Sequence, residues 1–165
     1  MQDLSGLSAD LLVLLALSVL LFVLGLTGGR KFFVPFLVGL YVASVVTSML
    51  PTLRTFLLRF GTDLPAQTPA AIFLLALAFT TWLLAGSAVT AVFRFSGRGV
   101  GILWQVAAAS ILGAGLFGVL FIPTLPRGTL TPSAPVAQWL LADPLPFLWA
   151  LAPVVFFAIL RVNED

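Results

Sequence analysis

The chain has 165 residues, of which 61% are hydrophobic and only 8% charged, with eight Lys/Arg against six Asp/Glu and a net charge of +2. A soluble domain carries roughly 25% charged residues, so this composition excludes a water-soluble globule, and the few scattered basic residues exclude a nucleic-acid footprint. With neither Cys nor His, the chain also lacks a disulfide framework, a thiolate metal site, a Cys nucleophile and the commonest general base, which predicts no catalytic residue, no metal and no cofactor.

Residues 1–10 are polar, with Asp3 and Asp10 and no Lys or Arg. A cleaved signal begins basic, so the Leu/Val-rich run that follows is read as a retained helix over about 10–27. Gly28, Gly29, Arg30 and Lys31 then make a tight basic turn. The next uncharged run predicts a span over about 32–50 that ends near Pro51, with Pro35 in its first turns. Gly39, Ala43 and Thr47 fall on one stripe of it, with Ser44 and Ser48 beside them, a face suited to protein contact rather than lipid.

Arg54, Arg59 and Asp63 mark a polar interval with room for a short surface helix over 53–60. The third span runs over about 69–93, with Ala78, Thr81, Ala85 and Ala88 on one face and Trp82, Gly86 and Thr90 on another. A short turn bearing Arg94 and Arg98 makes the third and fourth spans an antiparallel hairpin. The fourth span, about 99–122, organises the rest. On a helix, Gly101, Gln105, Ala109 and Gly113 form one stripe of small residues, and Ala107, Ser110, Ala114 and Gly118 a second beside it. Lipid tails do not require small side chains, whereas close helix–helix contact does, so this segment is expected at the centre of a bundle with neighbours on two sides.

Pro123 and Pro126 end that span, and 127–135 reads as a loop. Residues 136–142 fit a short interfacial or re-entrant helix before Asp143 and Pro144. The last span, about 146–161, is short for a crossing. The whole is therefore an all-α integral membrane protein, one domain over 1–165, with four or five transmembrane helices. With five, Arg30, Lys31, Arg94, Arg98 and Arg161 lie on one side and Arg54, Arg59 and Arg127 on the other. The positive-inside rule then places the N-terminus outside and the C-terminus in the cytoplasm.

Every ionisable residue falls at or beyond a span end, which argues against a proton relay or pump. Gln105 is the polar group at depth, read as an interhelical hydrogen bond to Thr81, Ser87, Thr90 or Ser44. Asp143 is the one acid lodged between apolar segments, and Asp-Pro before a helix is read as its N-cap. It alternatively meets Arg127 at a membrane-face groove. The run from Gly113 to Gly118 is not a dinucleotide fingerprint, since no strand precedes it. Trp139 and Trp149 suit an interfacial belt.

The Leu-rich first span running into Gly28-Gly29-Arg30-Lys31, the second span with Leu40, Tyr41, Ala43 and Ser44, and the Arg/Gly turn from Arg94 to Gly101 resemble the colicin V production protein (CvpA-like) family. The resemblance covers roughly residues 9–122, and the segment from 127 onward departs from it. It implies a bacterial inner-membrane protein with no settled chemistry, acting in toxin production or envelope processes through other membrane proteins or self-association. The alternatives are an accessory subunit of a respiratory, photosynthetic or secretory membrane complex, and a small transporter or channel lined by the hydroxyl stripes and Gln105.

Overall fold

Hydrocarbon offers no partner to a backbone N–H or C=O, so an apolar chain crossing it must close its hydrogen bonds within each segment. The computed structural model, described over residues 9–28, 30–61, 64–86, 100–126 and 134–162, follows that rule: among these residues every long element is a helix and none is a strand. In chain order they are α1 (Ala9–Gly28), α2 (Arg30–Ser48), α3 (Leu50–Leu58), α4 (Thr68–Ala85), α5 (Val100–Phe121), a 3₁₀ turn (Ile122–Thr124), α6 (Ala134–Leu141) and α7 (Leu145–Val162). Four stretches are long and apolar enough to cross a membrane: α1, α2 with α3, α4, and α5 with its 3₁₀ turn. The 18 residues of α7 reach about 27 Å, close to the roughly 30 Å hydrocarbon layer.

The bundle is antiparallel. Gly25 lies by Val106 and Leu14 by Gly118, so α1 and α5 run in opposite directions; Gly39 faces Leu77 and Thr81 while Thr47 and Ser48 share a cavity with Thr68 and Pro69, so α2 and α4 are antiparallel too. Trp149 on Gly115 and Trp104 on Phe156 align α7 antiparallel to α5. One end of the bundle, the basic end, carries Arg30 and Lys31. The other, the proline end, gathers Pro51, Pro65, Pro69 and Pro123 around one cavity.

Two helices share the centre. Half of the membrane window of α2 and half of that of α5 are buried, against 11% for α1 and 17% for α4. The expectation of one central helix at 99–122 is thus half of the arrangement. The core between them holds Phe33, Leu40, Phe73, Val106 and Leu116. Phe73 of α4 meets Phe117 and Phe121 of α5 at ring separations of 6.0 and 5.6 Å, spacings at which aromatic pairs attract by about 0.5–1.5 kcal/mol each.

The segment boundaries shift in two places. The second helix does not stop at Pro51: α2 ends at Ser48 and only Met49, itself in helical backbone geometry, separates it from α3. Proline is tolerated in a helix's first turn, so Pro51 bends the chain there instead of ending it. The last helix starts at Leu145, one residue ahead of the expected 146, with Pro146 in its first turn. The short helix before it is α6, which docks Val136 and Leu140 against Val119 and Leu14 at the proline end, while Trp139 faces outward with 72% of its surface exposed. Residues 87–99 and 127–133, with the Arg94–Arg98 turn and Arg127, lie outside the described residues.

Candidate functional site

The stripe residues of α5 occupy its contacts with three neighbours, α1, α2 and α6. Ala109, Ser110 and Ala114 are buried. A side-chain carbon added at Gly113 would touch Leu21 of α1 and Phe36 of α2 at 3.5 Å. One at Gly118 would stand 3.1 Å from Leu14 of α1 and 3.2 Å from Leu140 of α6. Gly101 lies in the first turn of α5, outside the described side chains. Gly115, which belongs to neither stripe, is tighter than either: a carbon there would clash with the indole ring of Trp149 on α7. On α2, Ala43 is fully buried, and Gly39 brings the backbone of α2 onto the Leu77 carbonyl and the Thr81 hydroxyl of α4.

The polar groups at depth are arranged differently from the sequence expectation. Gln105 is half-buried in α5, and the Thr81 hydroxyl is not its partner. The Ser44 hydroxyl donates to the Tyr41 carbonyl on its own helix at 2.8 Å, and the enclosed Thr81 hydroxyl has no hydrogen-bond partner among the described residues. Ser87 and Thr90 lie outside those residues. Asp143 is exposed and stands one residue ahead of the cap position. It is the Pro144 carbonyl that accepts the first helical hydrogen bond, from the Leu148 N–H at 3.3 Å.

Two contacts at α7 have no counterpart in the sequence reading. The Tyr41 hydroxyl of α2 donates to the Ala150 carbonyl of α7. Pro153 lies three residues on: it withholds the N–H that the adjacent Trp149 carbonyl would take, and its ring crowds that turn of the helix. Trp149 donates its indole N–H to the Trp139 carbonyl at 3.0 Å, which ties α6 to α7.

The proline end contains a cavity of about 520 Å³ where α2, α3, α4 and the end of α5 diverge. Its floor is apolar, with Leu50, Val119 and Leu120, and Arg54 is the charged residue in its wall. Ser44, Thr47 and Ser48 supply hydroxyls. Thr47 and Ser48, like Ser44, point their protons back into their own helix, Thr47 to the Ala43 carbonyl at 2.7 Å and Ser48 to that of Val45 at 2.7 Å. Serine and threonine satisfy themselves this way when no outside acceptor is at hand. The stripe of Gly39, Ala43 and Thr47 therefore divides: Gly39 and Ala43 are packed, while Thr47, with Ser48 beside it, lines a space.

These elements define a multi-pass helical membrane protein, with α2 and α5 inside, α1 and α4 outside, and one open cavity at the proline end. No family model, no curated protein and no solved structure matches the chain. Among the described residues no three His, Cys, Asp or Glu side chains come together to hold a metal.

Proposed function

We propose that this chain is a bacterial inner-membrane protein of the colicin V production kind, which does no chemistry of its own and acts by binding other membrane proteins. The observation that carries the reading is the outer face of α4. Ala71, Leu75, Ala78, Trp82 and Ala85 are all exposed, Leu75 by 70% and Trp82 by 75%. Their spacing of four, three, four and three residues is that of a helix–helix seam. Alanine at every second place lets another backbone come close, which acyl chains do not require. An accessory subunit of a larger membrane complex would present the same seam, so the two readings share their first test. The channel reading is weaker, because Leu40, Phe73 and Leu116 are packed solid beneath the hydroxyl-lined cavity. The greater number of basic residues at the basic end supports placing that end in the cytoplasm.

A photo-crosslinking residue at Leu75, compared with one at Val19 on the outer face of α1, tests this in native membranes. The expected result is a discrete protein adduct from position 75, lost in Ala78→Phe, and lipid adducts alone from position 19. Lipid adducts alone from position 75 would overturn the reading.

A further inference from the structure

We infer that the proline-end cavity is a binding site for a phospholipid whose headgroup donates hydrogen bonds, of which phosphoethanolamine is the simplest. The inference stands apart from the partner reading, which concerns Leu75, Ala78 and Trp82, none of them in the cavity wall. Three observations meet here.

The first is depth. Twenty-four residues separate Arg30 from Arg54 along the nearly continuous α2 and α3, about 36 Å at 1.5 Å per residue. The hydrocarbon layer is roughly 30 Å. With Arg30 at one membrane face, Arg54 stands among the headgroups of the other, at the level of lipid phosphates.

The second is the wall chemistry. Arg54 is the cationic group of the cavity wall, and a guanidinium is shaped to take two phosphate oxygens. The hydroxyls have spent their single protons on helix carbonyls, so they face the cavity with lone pairs. Thr47 and Val119, both in the wall, add main-chain acceptors, because Pro51 and Pro123 stand where the helical N–H donors to their carbonyls would be. A wall of one cation and many acceptors fits a ligand that joins an anion to a donor. A phosphate carrying an ammonium is such a ligand, and a phosphate carrying trimethylammonium is not, since choline has no N–H.

The third is the floor. Leu50, Val119 and Leu120 offer an apolar surface where acyl chains leave the glycerol. The volume of about 520 Å³ lies within the range of ligand sites, roughly 300–1,000 Å³.

The test uses the full-length purified protein in detergent, with defined lipids added and bound adducts counted by native mass spectrometry. Phosphatidylethanolamine is expected to be retained several-fold over phosphatidylcholine of identical chains. R54Q should lower retention of both lipids by about tenfold, the weight of one charge-assisted contact, while R59Q, outside the cavity wall, leaves it unchanged. A Thr47→Val/Ser48→Ala variant should reduce the preference for ethanolamine several-fold and keep the binding of choline lipid. Equal retention of the two lipids by the wild type would overturn the inference, as would an R54Q protein that binds like wild type. So would competition by soluble phosphoethanolamine at the same concentration as the lipid, which would make the ligand a free anion.

Discussion

At Gly115 one added carbon meets strong resistance, because the new atom would clash with the Trp149 ring. Gly115→Ala is therefore expected to cost about 1–3 kcal/mol, the usual penalty of overpacking. In a Trp149→Ala background most of that cost should vanish, since touching residues do not add independently. Gly86→Ala, at a site with open space around it, should change stability by less than about 0.5 kcal/mol. Thermal unfolding in mild detergent separates the three, and equal losses at 115 and 86 would contradict the packing described. Nothing in the sequence singled out Gly115. Stripe counting finds small residues that recur along one helix, but it cannot see which large side chain a neighbour brings. Thr81 and Gln105 were opaque for the same reason: a hydroxyl at depth can bond its own helix or another, and spacing does not choose.

Among the elements, α7 depends most on single contacts. Tyr41 joins it to α2 through the Ala150 carbonyl, and Trp149 joins it to α6. Hydrogen bonds between membrane helices contribute roughly 0.6 kcal/mol on average. Tyr41→Phe should weaken the bundle by about that amount, with hydrogen exchange rising in α7 well before it rises in α4. Uniform exchange across all helices would contradict the assignment. The helices themselves were legible because hydrocarbon penalises charge so strongly that Arg and Lys mark where each one leaves it. The run of α2 into α3 was not. Pro51 reads as a stop in sequence, yet in the first turn of a following helix it displaces nothing.

Over the whole molecule, alternation of ends follows from the chain order, and the antiparallel contacts of α1, α2, α4, α5 and α7 agree with it. The wild-type chain has no Cys, so single cysteines report cleanly. Ala66→Cys, at the proline end, is expected to react with an impermeant maleimide in intact cells, and Gly86→Cys, near the basic end, only after permeabilisation. The reverse pattern would invert the orientation drawn from the five-to-three balance of basic residues. What could be read in advance was an antiparallel bundle with a small-residue helix inside it. That α2 shares the centre, and that the proline end opens into a cavity, depends on how helices of different lengths splay at their ends.

Inside the bilayer, α5 meets its neighbours through its glycines and alanines. Disulfide trapping in carbonate-washed membranes measures this directly. Leu21→Cys paired with Gly113→Cys should crosslink, because those positions face each other, Leu21 being buried at 2% exposure and Gly113 lying 3.5 Å from it once a carbon is added. Leu20→Cys paired with Gly113→Cys should not, because Leu20 is 54% exposed on the lipid face of α1. Crosslinking of the second pair in place of the first, or release of the protein by the carbonate wash, would contradict it.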